Sequence, residues 1–413
     1  MKTMNYDIVI IGGGPAGMAA AVEVAENGKE SVLLIERDKS LGGILQQCIH
    51  DGFGLFRFGK RLAGTEYAQR YIDMVHEKRI EVKTDTMVLD LSDERVLYAI
   101  NNTDGMMEIH AKAVIMAMGC RERTASQIFI YGYRPAGVLT AGTVQRYINI
   151  EGYLPGKKAV ILGSGDIGLI MARRMTLEGV EVKGVYEVMK HPGGLTRNIV
   201  QCLDDYQIPL HLGTSVIRIH GKDRLSGVTV AKVDDHMNPI EGTEEFIECD
   251  LLVLAVGLIP ENELSKNAGI ELDTKTKGPI VDNEFMTSVP GIFAAGNVSV
   301  VFDLVDYVSE SGVTAAQGAM KFVRGEMNLS DEYYEVAAGE NVNFVVPQRI
   351  RTKGKAKFYM RVKQVLSNIE IDCIEDGKII AKKRSVKGMP AEMISISTEL
   401  KDLGNITFDV KEV

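Results

Sequence analysis

The stretch Asp7-Ile-Val-Ile-Ile-Gly12-Gly-Gly14-Pro-Ala-Gly17 decides how the chain folds. An apolar, β-branched run feeds a GxGxxG, and a helical stretch follows from Pro15 to Asn27, closed by Gly28. The spacing gives each glycine a task. Gly12 turns the chain from strand to helix, Gly14 lets backbone approach a pyrophosphate, and Gly17 lets the helix lie close on the strand. Pro15 and Ala16 open the helix, whose free N–H groups and dipole favour an anion. A second strand, Ser31-Val-Leu-Leu-Ile-Glu36, ends in an acid 24 residues after Gly12, where a carboxylate can accept from a ribose diol.

The same pattern recurs. Lys158-Ala-Val-Ile-Leu-Gly163-Ser-Gly165-Asp-Ile-Gly168 runs into a helix ending near Glu178, with Gly179 as stop. The next strand, Val180 to Tyr186, leads to Glu187, again 24 residues after the first glycine. Gly163, Gly165, Asp166, Ile167 and Gly168 are the second set of candidate cofactor residues. One GxGxxG is weak evidence, but two complete units with equal glycine-to-acid spacing form an internal repeat. Two dinucleotide-binding folds are therefore expected. A carboxylate accepts from a free 2′-OH and repels a 2′-phosphate, so Glu36 suits the ribose of FAD or NAD. By the same argument Glu187 favours NADH over NADPH, with Lys190 and His191 close enough to soften the preference.

Composition sets the outer bounds. The 413 residues suit two to three domains. Gly is frequent at 42 and Pro scarce at 11, which points to tight turns and close backbone approaches, not disorder. A net charge of -9 argues against nucleic-acid binding. The apolar runs are short, as in Leu251 to Val256, so no transmembrane segment is expected. Asp7 and Gly12 interrupt the N-terminal apolar stretch, so no secretory signal is expected. The five cysteines, at 48, 120, 202, 249 and 373, form no local pair and no zinc-type cluster; no metal site is expected. Scattered cysteines in odd number fit a reduced, cytoplasmic protein.

Further strands end in glycine: Ala113-Val-Ile-Met-Ala-Met-Gly119 and Leu251-Leu-Val-Leu-Ala-Val-Gly257. Later comes Pro290-Gly-Ile-Phe-Ala-Ala-Gly296-Asn297, then a helix from about Tyr307 to Val323. In this order the chain resembles the FAD- and NAD(P)-dependent pyridine nucleotide-disulfide oxidoreductase superfamily, over residues 1 to about 330. Within it, the chain is similar to a subgroup without the redox disulfide. That subgroup includes oxidoreductases associated with glycerol-3-phosphate-dehydrogenase-type flavoproteins, and it is related to subunits of opine oxidase and hydrogen cyanide synthase. The stretches that carry the likeness include Gly42-Gly-Ile-Leu-Gln-Gln-Cys48-Ile-His50, Met118-Gly-Cys-Arg-Glu-Arg123, Arg134-Pro-Ala-Gly-Val138 and Asp303-Leu-Val-Asp-Tyr-Val308.

The resemblance implies roles. Gly12, Gly14 and Gly17 would hold the FAD pyrophosphate, Glu36 the adenosine ribose, and Arg37 would lie near the adenine. Gly43 would approach the cofactor. Val88, in an expected strand Glu81 to Leu89, would give backbone bonds to adenine. Gly119 would close a turn over FAD, with Gly257 its counterpart in the NAD unit. Gly296 and Asn297 would contact pyrophosphate and ribityl chain. The family carries Asp where Asn297 stands, and an amide bonds without adding charge. The helix from Tyr307 would aim its N-terminus at the flavin and stabilise negative charge there.

The departures matter as much. The disulfide-reductase branch has two cysteines four residues apart after the paired glycines; here only Cys48 is present. The C-terminal HxxxxE pair of those enzymes is missing too. Cys48 and His50 are the catalytic candidates. Cys48 offers either a thiolate beside the flavin or a small apolar residue packing by the ring. His50 offers a proton relay or a structural histidine. Arg121 and Arg123, which follow Cys120, offer phosphate contacts or ion pairs with Glu122 and its neighbours. Asp306 reads either as a helix cap or as part of the flavin site.

After Gly339 the pattern becomes alternating and turn-rich, as in an all-β domain. Residues 340–413 carry 14 basic and 10 acidic side chains, net +4, against net -13 for the rest. From Arg349 to Lys357 a cation stands at every second residue, and Arg361 and Lys363 continue the period. That puts them on one strand face, as a solvated edge or as a docking surface for an acidic protein or a bilayer.

The expected fold is α/β: two Rossmann-like, three-layer dinucleotide-binding domains with the NAD domain inserted in the FAD domain, plus a small C-terminal all-β domain. The FAD domain would span 1–140 and 262–330, the NAD domain 141–261, and the β domain 340–413. The expected activity is hydride exchange between NADH and FAD, with electrons passing to or from a partner, a flavoprotein dehydrogenase subunit. Two alternatives stand beside it: a slow cofactor-binding regulatory subunit, and a free-standing NADH:acceptor reductase using quinone, oxygen, peroxide or a small molecule. Homo-oligomer formation and peripheral membrane contact are left open.

Overall fold

The computed structural model describes residues 1–327 and 333–413. The chain divides into two compact units, Met1–Cys120 with Pro260–Val413, and Arg121–Ile259 between them. The expected end of the FAD domain at residue 330 lies outside the described residues.

In the discontinuous unit, strand β1 (Lys2–Ile11) leads into helix α1 (Pro15–Asn27) and strand β2 (Val32–Ile35). β1 pairs in parallel with β2 and with Gly105–Met116. The four residues Ile8–Ile11 are buried, as a parallel strand covered on both faces requires. Glu81–Lys83 extends the sheet beyond β2, while Ile292–Ala294 joins it in parallel at Gly105–Met116. The sheet is thus completed by a strand that arrives only after the second unit.

The single strand expected from Glu81 to Leu89 is two strands. Glu81–Lys83 is parallel beside β2, whereas Met87–Leu91 runs antiparallel to Val96–Asn101. Val88 sits in the second, opposite Ala99 and 6% exposed. The turn between them follows from Asp85, at φ 50, and from Thr86 N–H bonding to Glu36 O at 2.9 Å. Alternation of apolar residues does not reveal a change of pairing partner.

The second unit holds a five-stranded parallel sheet in which β3 (Lys158–Leu162) is central, followed by helix α2 (Asp166–Leu177) and strand β4 (Glu181–Glu187). Residues of β3 alternate between two cores. Ala159 and Ile161 pack with the helices, and Val160 and Leu162 pack under a four-stranded sheet. This unit begins at Arg121, whereas the expected boundary was 141. Tyr131–Gly132 and Val138–Thr140 pair with Thr214–His220 and Leu251–Leu254, and strands of two and three residues carry little periodicity to read.

Helix α3 (Val305–Val323) returns to the first unit and packs on α1, close enough that a Cβ on Gly312 would lie 2.2 Å from Ala16 O. The C-terminal strands form a five-stranded and a three-stranded sheet around their own core. Gly354–Val362 is the middle strand of the three, between Val342–Val346 and Ile394–Leu400, not the edge strand its charges suggested. Its even positions enter the core. Of the odd positions, Lys355 is exposed, while Lys357, Tyr359 and Arg361 turn toward the rest of the unit, where Lys357 Nζ meets Glu310 Oε2 at 2.5 Å and Arg361 bonds Val301 O. Arg349 pairs with Glu271, and Arg351 with the buried Asp282. Much of the basic stripe therefore clasps the chain's own body. No helix among the described residues is long and apolar enough to cross a membrane.

Candidate functional site

Two cradles of bare backbone stand at the ends of β1 and β3. In the first, Gly12 has φ +107, and its N–H donates to Ile35 O at 2.8 Å. A Cβ on Gly17 would lie 1.8 Å from Gly12 O, so only glycine lets the helix sit this close to the strand. A Cβ on Gly14 would meet nothing within 4 Å, so its face is open. Gly43, at φ +54, faces it: a Cβ there would come within 3.1 Å of Gly14 Cα. Pro15 begins α1, and the buried Ala16 packs against both Gly296 and Gly312.

Glu36 is 6% exposed, and its carboxylate is partly committed to the chain. Oε2 accepts from Gly13 N at 2.6 Å, and Oε1 accepts from Asp38 N at 2.8 Å. A carboxylate has about four lone-pair directions, so acceptor capacity remains for a ribose. Arg37, next in sequence, is exposed.

The second cradle repeats the first. Gly163 has φ +100, and its N–H donates to Tyr186 O at 2.7 Å. A Cβ on Gly168 would lie 2.5 Å from Gly163 O, and one on Gly165 would meet nothing within 4 Å. Glu187 Oε2 accepts from Ser164 N and Ser164 Oγ at 2.9 and 2.7 Å, while Oε1 accepts from Met189 N. Asp166 is occupied locally: Oδ1 accepts from Leu195 N and Asn198 Nδ2. Ile167 packs at the margin of the helix-side core.

The repeat extends further along the chain than the two fingerprints. Gly42 and Gly43 recur at Gly193 and Gly194, with the same offset of 151 that relates Gly12 to Gly163. A Cβ on Gly193 would lie 3.7 Å from Gly165 N, and Gly193 N donates to Ser164 Oγ at 2.8 Å. Applying the offset past the acid would have found this pair. A cavity of about 560 Å³ also escaped notice. It lies between Thr124–Arg134 and the strand ends Thr140 and Leu254, segments too far apart in sequence to be linked by pattern.

The remaining candidates sit at strand ends or on loops. Gly119 has φ +73, an open face, and a carbonyl that accepts from Glu261 N. Gly257, at φ +97, accepts from Arg123 N at 3.1 Å. Gly296, at φ +69, donates its N–H to Ser311 Oγ at 2.8 Å. Asn297 Oδ1 accepts from Phe302 N, and its Nδ2 lies 3.7 Å from Cys120 Sγ. Asp306 is buried at the start of α3 and accepts from Gly54 N and Arg57 N at 3.3 and 2.8 Å. It does cap a turn, but a neighbouring one, at Leu55–Phe58.

Cys48 is 8% exposed, and its thiol turns back on Ile44 O at 3.3 Å. His50 is half-buried, with its ring 5.1 Å from that of Phe53. No disulfide forms among the described residues, which include all five cysteines. Burial pushes the thiol of Cys202 up, and those of Cys249 and Cys373 up to about 12.

A family profile described as pyridine nucleotide-disulphide oxidoreductase matches residues 6–321. The hydrogen cyanide synthase subunit HcnB of Pseudomonas protegens is 30% identical over 285 residues, covering 65% of this chain and 60% of that one. A subunit of the opine oxidase of Agrobacterium tumefaciens is 25% identical, covering 71% of this chain and 61% of that one. The chain thus spans about 60% of the length of these relatives. The crystal structure of T. acidophilum thioredoxin reductase superposes with a TM-score of 0.61 at 25% identity, over 77% of this chain and 98% of that one.

Proposed function

The chain belongs to the pyridine nucleotide-disulphide oxidoreductase family of FAD-dependent oxidoreductases, and from that premise we propose that it exchanges hydride between NADH and FAD. Electrons then pass to or from a partner protein, a flavoprotein dehydrogenase of the glycerol-3-phosphate type. One observation carries the reading: two open glycine faces, at Gly14 and Gly165, in a chain where Cys48 stands without the second cysteine that the disulfide-reductase branch carries beside it. Two of its relatives are by name subunits, which supports a partner.

Gly12, Gly14, Gly17 and Gly43 admit the FAD pyrophosphate to the start of α1, where free N–H groups hold it. Glu36 takes the adenosine ribose with its remaining lone pairs, and Arg37 flanks the adenine. Gly119, Gly296 and Asn297 line the path toward the flavin. Gly163, Gly165 and Gly168 do for the nicotinamide nucleotide what the first set does for FAD, with Gly257 at the neighbouring strand end. Asp166 and Ile167 shape the start of α2. Glu187 is a held negative charge where a 2′-phosphate would fall, so NADH is preferred. Bound there, FAD supplies a two-electron acceptor for hydride.

Anaerobic rapid mixing tests the reading. NADH should bleach the flavin band near 450 nm, and NADPH should do so at least tenfold more slowly. Faster bleaching by NADPH overturns the role given to Glu187. A band that NADH leaves intact overturns the reading as a whole.

A further inference from the structure

The loop that carries the thiols in the disulfide-reductase branch runs here from Ile44 to Arg61, and it exposes large apolar side chains beside charged ones. Ile44 is 58% exposed, Ile49 47%, Leu55 58% and Phe56 70%. A Phe this open is expected at a contact site more than in a free surface, when others cluster with it. The loop is also held in place. Asp51–Phe53 pairs with Leu62–Ala63, and the buried Asp306 carboxylate accepts from Gly54 N and Arg57 N. Arg57 Nε donates to Tyr71 OH at 2.9 Å, and the Phe56 ring stacks on Tyr307 at 6.4 Å between centroids and 10°. An aromatic held in advance loses little freedom on binding, as binding hot spots require.

Charge narrows the occupant. Ile44–Arg61 carries Arg57, Lys60 and Arg61 against the single acid Asp51, which pairs with Arg61 at 2.9 Å, so the loop is net positive in a chain of net charge -9. The loop starts one residue after Gly43, and its other anchor is the first turn of α3, which follows the Gly296–Asn297 strand end. It therefore stands beside the proposed FAD cradle. We propose that the loop Ile44–Arg61 is the docking surface for a redox partner protein with an apolar centre and an acidic rim. This rests on the reading that electrons leave to another protein. A second copy of the chain would bring the same cations face to face, which is unfavourable. An anionic bilayer would be repelled by the acidic remainder of the chain.

The test uses the full chain, tagged and purified from its own cells. A photo-crosslinking residue is placed at Phe56 and, as a remote exposed control, at Val386. A Leu55→Asp/Phe56→Asp chain is compared for partner retention. Expected is a crosslink from position 56 to a different protein whose own redox centre NADH reduces only through this chain. The double variant should retain at least tenfold less of that protein, with FAD content, thermal midpoint and bleaching by NADH unchanged. Crosslinks to that protein only from position 386, or full retention by the double variant, overturn the surface while leaving the partner reading intact. A position-56 crosslink to a second copy of this chain overturns it as well. So does binding to phosphatidylglycerol vesicles that the double variant loses while partner retention stays the same. If no second redox protein co-purifies with the unmodified chain, the partner reading fails and the surface with it.

Discussion

A side chain added at Gly14 or Gly165 would touch no protein atom within 4 Å, and both backbones lie in regions open to any residue. Substitution there should leave the fold intact and fill only the space given to a cofactor. Gly14→Val is expected to purify folded with less than a tenth of the FAD of the parent. Gly165→Val should keep its FAD and its thermal midpoint while KM for NADH rises at least tenfold, about 1.4 kcal/mol of binding. Equal loss of FAD in both variants would show that the two faces do not serve different nucleotides. Cys48 offers the opposite case. With its thiol buried and turned on Ile44 O, Cys48→Ser should change the rate of flavin bleaching by less than twofold, and a loss beyond tenfold would return it to the reacting site. At this scale the sequence was informative because glycine spacing is imposed by backbone contact, as the 1.8 Å approach at Gly17 shows. The strand of Val88 was read as continuous with Glu81–Lys83 because a pairing partner is not written in the residue itself. The bonds that hold Glu36 and Glu187 escaped reading because their donors are backbone groups.

Among the elements, the turn at Asp282–Glu284 and the strand segment Arg349–Thr352 form a clasp. Arg351 Nε meets Asp282 Oδ2 at 3.2 Å, and Asn283 holds Thr352 through its carbonyl and its hydroxyl. Burial pushes the Asp282 carboxyl up to about 6. The folded chain then holds a proton there, between about pH 4 and 6, that the unfolded chain gives up, so this group's contribution to stability falls as pH rises through that window. Asp282→Asn removes the titration. The stability of the parent relative to Asp282→Asn should fall by up to about 3 kcal/mol from pH 4 to 6, then level off. Denaturant unfolding at several pH values measures it, and a flat difference would mean that Asp282 stays ionised throughout. The clasp was not legible in advance. Period two correctly put the cations of Gly354–Val362 on one face, but what that face meets depends on chain folded back from residues 271 to 310. The short strands at 131–132 and 138–140 were hidden for a related reason, since their order comes from neighbours more than 80 residues away.

For the whole molecule, fold class was the most legible property, because each βαβ repeat states its own topology through its glycines and its acid. What the spacing could not convey was how the first unit is closed: by Ile292–Ala294 on the sheet and α3 against α1, after Arg121–Ile259 has intervened. That order has a consequence in time. During synthesis the N-terminal fingerprint leaves the ribosome first, yet the inserted unit is the first to have emerged whole. At 5–20 residues per second, roughly 15 to 60 seconds separate the emergence of Gly12 from that of the helix that backs it. Over that interval β1, Val32–Ile35 and Gly105–Met116 wait without their last strand, and FAD has only an unfinished cradle to bind. The inserted unit can therefore capture its nucleotide before the enclosing one, reversing the order in which the two fingerprints are written.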